Sequence, residues 1–156
     1  MEPLLLSLHI VAGILFVGPV AVATSLFPRY APLAAPPPPG ADPGVDPGGR
    51  GPDTARLLHR ITHRYGVLAV TVPVAGLVLA LVQGRAGDVW VVVAMVLTAV
   101  AGALLVLRIA PAQREALDSP DDGARLRRLG AMTGVFNLLW AAVVVLMVSR
   151  PGSSPS

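Results

Sequence analysis

Three histidines, His9, His59 and His63, are the side chains best suited to chemistry near neutral pH in this chain. His9 stands inside an uncharged apolar run, where an ionisable group is costly and is by default a functional candidate. A neutral imidazole there can donate a hydrogen bond to a neighbouring helix or ligate a metal. His59 and His63 are four residues apart, which sets two imidazoles on one helical face and suits a metal ion. They alternate with Arg60 and Arg64, however, whose charge repels a cation, so the pair reads as part of a solvated basic face. Imidazole combined with thioether suits Cu(I). Met95 and Met147 fall near the depth of His9, so the sharpest metal site the sequence offers is His9 with Met95 and Met147. The commoner use of Met is to fill a core. Haem shared by His9 and His63 is disfavoured by distance in this topology. His9 lies about 8 Å below one bilayer surface and His63 at the other, leaving about 20–25 Å between them.

Other chemistry is absent. There is no Cys, which removes disulfides, zinc–thiolate sites, iron–sulfur clusters and thiol nucleophiles. No phosphate loop, zinc-protease helix or nucleophile–base pair occurs, so the chain reads as non-enzymatic and without a cofactor. Copper or haem handling through His9 is the alternative. A small transporter comes third, because no Asp, Glu, Lys or Arg enters the apolar runs, and proton-coupled transport usually uses a buried carboxylate. Asn137, deep in the last run, is expected to make an interhelical polar contact. Trp140 is too deep for an interfacial belt and is expected to pack.

These residues are positioned by four uncharged runs, 4–27, 65–83, 89–107 and 130–149. Each approaches the roughly 17–25 residues that cross ~30 Å of hydrocarbon. Hydrophobic residues make up 54% of the 156 and charged ones 13%, against about 25% charged in soluble domains; the chain therefore needs lipid as its solvent. In lipid the backbone must bond to itself, so the runs are helices despite their Val content. The expected fold is all-α: one membrane domain, an antiparallel four-helix transmembrane bundle. Pro19 and Pro73 should kink the first two helices. Small residues at fourfold spacing (Ala94, Thr98, Gly102; Gly76, Ala80; Gly130, Gly134) read as packing faces, which would also serve a homo-oligomer or a membrane partner.

The connections differ. Residues 28–53 are dominated by Pro and Gly and are expected to be a disordered loop. Residues 54–64 form a basic amphipathic lead-in at the headgroups. The link 84–88 is short enough to make a hairpin. In the connection 108–129, Ser119 followed by Pro120 and two acids reads as the start of the fourth helix. Residues 150–156 form a tail.

All twelve basic residues are Arg. Ten fall in the two longer connections, among them Arg56, Arg60, Arg64, Arg125, Arg127 and Arg128, which are expected to bind anionic lipid headgroups rather than nucleic acid. Arg85 and Arg150 stand alone at the other side. The asymmetry places the longer connections in the cytoplasm and both termini outside, with Tyr30 and Tyr65 at the inner interface and Trp90 at the outer one. Arg in place of Lys, with abundant Ala, Gly and Pro, points to a GC-rich bacterial genome and a cytoplasmic membrane. Ala21-Val22-Ala23 has the form of a signal-peptidase site, but the basic stretch that should precede it is missing.

The opening LHIVAGILFVG, the entry RLLHRITHRYGVLAVTVPVAGLVLAL and the close LMVSRPG together resemble a family of bacterial integral membrane proteins of unknown function. The resemblance spans most of the chain outside the Pro-rich loop. More distantly, the opening looks like copper-resistance D-type membrane proteins, which implies copper at His9, and like the four-helix protoporphyrinogen-oxidase membrane family. The latter pairs a first-helix His with an intramembrane Lys. No Lys exists here, so that activity does not carry over.

Overall fold

The computed structural model describes residues 2–34 and 50–151, and among these the regular structure is entirely helical. Four helices form an antiparallel bundle: α1 (Pro3–Tyr30), α2 (Pro52–Val82), α3 (Val89–Asp118) and α4 (Ala124–Ser149). Each is long and apolar enough to cross a membrane, the arrangement of a multi-pass membrane protein. Large exposed aliphatics on all four, such as Leu15, Val67, Val106 and Leu138, give the bundle a surface that lipid solvates.

Every helix extends past its apolar run. α1 continues through Pro28 to Tyr30, and the basic lead-in is continuous with α2 from Pro52. α3 runs on to Asp118, well into the expected connection. The physical reason is the same in each case: an apolar stripe continues at helical spacing. On α3, Ala101, Leu105, Ile109, Gln113 and Ala116 are all buried, a series of steps of four and three that ends only where the core ends.

Prolines inside the helices are accommodated in three ways. Pro lacks an N–H and crowds the carbonyl four residues back. Ahead of Pro19 and Pro111 the backbone widens into π-turns, Gly13–Val17 and Leu105–Ile109, each ending two residues before the Pro. Ahead of Pro73, α2 is interrupted at Val70, whose N–H turns to Val67 O at 3.2 Å. Pro28 leaves Thr24 O without its helical donor, and the Thr133 hydroxyl of α4 donates to that oxygen at 3.5 Å. The expected kinks at Pro19 and Pro73 are thus a π-turn and a break.

The core is concentrated at the Arg-rich end, around Phe27, Ile109, Leu129 and Phe136, all almost wholly buried. Toward the other end α1 packs mainly on α2, and α3 on α4. An apolar cavity of about 200 Å³ lies between the elements, with Val17, Pro73, Gly102 and Trp140 among its walls.

The Arg-rich end is tied shut by caps. Arg50 Nη1 donates to Pro28 O at 3.2 Å and Ala31 O at 2.9 Å, holding the end of α1. Ala34 N donates to Asp121 O at 3.0 Å. Ser119 does not start α4; it follows the last turn of α3, its N–H donating to Glu115 O. The start is instead built by two acids. Asp121 accepts from Gly123 N at 2.9 Å and Arg125 N at 3.0 Å, and Asp122 accepts from Ala124 N at 3.1 Å. Gly123 has φ 92°, and an added Cβ would stand 3.2 Å from Leu33, so both conformation and space require glycine. The expected disordered stretch is therefore anchored at both margins, while its middle, residues 35–49, lies outside the described residues.

Desolvation is the largest single influence on Asp121 and raises its pKa. The N–H groups of Arg125 and Gly123 and the charges of Arg125 and Arg127 outweigh it and hold the carboxyl below its usual range. A depressed pKa stabilises the fold above the unfolded-state value and loses that contribution as pH falls through the folded one. The melting temperature in mild detergent should therefore fall on acidification below about pH 4. Asp121→Asn should melt lower at neutral pH and show a shallower acid decline. A variant as stable as the parent across that range would remove Asp121 from the cap.

Candidate functional site

His9 is buried at 7% exposure on the α1 face that meets α2. Its Nδ1 lies 3.1 Å from Val72 O. A carbonyl only accepts, so Nδ1 carries the proton and Nε2 the lone pair. The ring rests on Gly76: a Cβ there would be 2.8 Å from His9 Cε1 and 3.3 Å from Nδ1. The small residue at 76 is the notch that admits the ring. Other members of the small-residue ridges differ. Ala94 is buried, whereas a Cβ at Gly102, Gly130 or Gly134 would meet nothing within 4 Å. Met95 and Met147 are half-buried on α3 and α4, which pack on each other at that end while α1 packs on α2.

Asn137 Nδ2 donates to Ser25 Oγ at 3.0 Å, and Ser25 Oγ in turn donates to Ala21 O at 2.6 Å. Trp140 stacks edge-on against Phe136, with ring centroids 6.4 Å apart. Near the opposite end Trp90 Nε1 donates to Asp88 Oδ2 at 3.1 Å, and the Arg150 guanidinium sits 5.9 Å from the Trp90 ring centroid.

A second polar centre lies at the Arg-rich end. Gln113 is fully buried on α3. Its Nε2 approaches Thr62 Oγ1 at 3.4 Å, and Thr62 Oγ1 donates to Leu58 O at 3.0 Å. Gln113 Oε1 lies 3.1 Å from His59 Nδ1. The directions are fixed by elimination: the Thr62 proton goes to a carbonyl, so Gln113 donates to Thr62, and His59 Nδ1–H donates to Gln113. His59 borders a surface pocket of about 340 Å³ walled by Arg56, Arg60, His63, Arg64 and Leu117. His63 is exposed and does not share the contact of His59 with Gln113.

The basic side chains divide into two groups. Arg125 Nη1 donates to Ser119 O at 2.7 Å and Glu115 O at 3.2 Å, with Nε 3.7 Å from Glu115 Oε2. It closes the end of α3. Arg56 pairs with Asp53 at 2.9 Å on the exposed surface, a contact worth at most ~1 kcal/mol. Arg60, Arg64, Arg127 and Arg128 are exposed.

Gln113 and Thr62 were missed from the sequence because both fell in segments assigned to the surface. The signal that would have found them is the apolar series on α3, which reaches 113 without a break. No three His, Asp or Glu converge on a metal-sized site among the described residues. Comparison with protein-family models, curated proteins and solved structures finds no match for the chain.

Gly76→Ala should destabilise the bundle by about 1–3 kcal/mol, the usual effect of overpacking a fitted site. In a His9→Ala background the same change should have almost no effect, because the clash is with the ring. His9→Gln keeps a donor and should cost about 1 kcal/mol or less. Denaturation in mixed detergent micelles measures all of these. Equal effects of Gly76→Ala in both backgrounds would show that the ring and the notch are not partners.

Proposed function

We propose that this chain is a non-enzymatic, multi-pass protein of a bacterial cytoplasmic membrane, with both termini outside and a structural or accessory role. The observation that carries this reading is the division of Arg between the two ends of the bundle. Ten of the twelve, all among the described residues, lie toward the end of the bundle opposite the 84–88 turn. Arg in short loops is retained on the cytoplasmic side. That face meets anionic headgroups, at about 1 kcal/mol per basic residue near the surface.

The natural absence of Cys makes the orientation simple to test. Single substitutions Gly48→Cys, Gly87→Cys and Ser154→Cys are exposed to a membrane-impermeant maleimide in intact cells. Gly87→Cys and Ser154→Cys should label, and Gly48→Cys only after permeabilisation. The reverse pattern would invert the protein in the membrane.

One feature favours copper handling through His9 as a second reading. The bond to Val72 O leaves Nε2 unprotonated, which is how a second partner orients a ligating imidazole. On this reading protein purified in mild detergent takes up stoichiometric Cu(I) under reducing conditions, less after His9→Gln or Met95→Leu, and undiminished after His63→Gln. On the leading reading there is no stoichiometric uptake, and metal retention that depends on His9 would replace it.

A further inference from the structure

We propose that the pocket between α2 and the end of α3 is a binding site for a phosphomonoester lipid headgroup of the phosphatidic acid type. The inference rests on the membrane orientation above and makes one part of the basic face selective. The wall belongs to α2, with Arg56, His59, Arg60, His63 and Arg64, and Leu117 of α3 closes one side. Positions 56, 60 and 64 recur every four residues, so the three guanidiniums lie in a row along one face. Among the described residues Arg60 and Arg64 have no anionic partner.

His59 makes this more than a charged stripe. Through Gln113 and Thr62 its ring is tied to the Leu58 carbonyl by a chain in which every donor is assigned. Gln113 is fully buried, so the anchor does not compete with water. The ring is held with Nδ1–H inward and Nε2 as the nitrogen left for the pocket. A neutral imidazole offers a lone pair there, not a proton. A phosphodiester has no proton to give it. A phosphomonoester does, since its second ionisation lies at about pH 6. Its remaining P–OH can bond to Nε2 while Arg60 and Arg64 take the charged oxygens, or it can transfer that proton and meet an imidazolium whose Nδ1–H is already paired. A phosphomonoester therefore brings a proton that it can share with Nε2, which a phosphodiester does not carry. Arg60 and Arg64 supply attraction for any anionic headgroup, His59 supplies the preference, and Gln113 acts as a positioning residue.

The full chain is reconstituted in phosphatidylcholine bilayers doped with equal minor amounts of phosphatidic acid and phosphatidylglycerol, and retained lipid is read by native mass spectrometry. Phosphatidic acid should be retained about tenfold more strongly than phosphatidylglycerol, the value of one charge-assisted hydrogen bond. Arg60→Gln with Arg64→Gln, both exposed, should lower retention of both lipids without disturbing the fold. His59→Phe should abolish the preference while leaving anionic retention, and Gln113→Leu should weaken it, provided each melts as a folded bundle. Equal retention of the two anionic lipids would overturn the phosphomonoester site and leave general headgroup binding intact. Failure to retain either above phosphatidylcholine would overturn both. Glycerol phosphate that displaces the lipid at matching concentration would assign the pocket to a soluble ligand and overturn its assignment to lipid.

Discussion

A peptide group in hydrocarbon has no water to bond to, and each one left unpaired costs several kcal/mol. The rest of this bundle follows from how that demand is met. Along the helices it is met by the chain itself. Where a proline withdraws an N–H, the structure supplies a local remedy, and the remedies differ with what surrounds them. π-turns precede Pro19 and Pro111, a break at Val70 precedes Pro73, and a hydroxyl of α4 reaches Thr24 O beside Pro28. Only the last needs another helix, and it stands in the well-packed half where a neighbour is close enough. At the helix ends the same demand produces Arg50 on the carbonyls of α1, Arg125 on those of α3, and Asp121 on the N–H groups of α4.

The two ends of the bundle are consequently unlike. At the Arg-rich end Leu33 covers Gly123, and a core of Phe27, Ile109, Leu129 and Phe136 is sealed. At the other end the link from α2 to α3 is short. Gly84 closes it with φ 67°, and Arg85 N returns to Ala80 O at 2.8 Å. That economical turn binds α2 to α3 through few side chains. The helices are then free to pair by side-chain shape, His9 into the Gly76 notch and α3 along α4.

The helix count, helical character and antiparallel order were legible from run length and absence of charge, because a bilayer imposes both. Helix ends were not. The spans were read from hydropathy, which stops at the bilayer edge, whereas packing continues for as long as an apolar stripe does; Ile109, Gln113 and Ala116 lie beyond the hydropathic boundary yet are buried. Ser119 reads as a cap from its type and from the Pro and acids that follow it. Asp121 and Asp122 provide equivalent oxygens two and three positions later, and Gly123 can adopt the left-handed turn that aims them. His9 stood out as an ionisable group in an apolar run, but its partners did not, since Val72 and Gly76 contribute a carbonyl and the absence of a side chain. Neither is a residue type that signals chemistry.

The same reasoning separates the three histidines, which composition treats alike. His9 meets backbone on a neighbouring helix and is shielded by it. His63 faces outward among arginines. His59 lies between these cases, one nitrogen on a buried amide and the ring at the margin of a basic pocket. A group so placed is oriented by the core and reachable from the surface, which neither of the others is. The fully buried Gln113 carries most of that difference. An amide in a helix core is costly unless both its oxygen and its nitrogen are engaged, and here Thr62 and His59 engage them. Replacing Gln113 with an aliphatic residue would spare Thr62, whose own proton is already on Leu58 O, and would release only His59. The polar chain is therefore arranged so that its one outward-facing member is the one whose orientation depends on the rest.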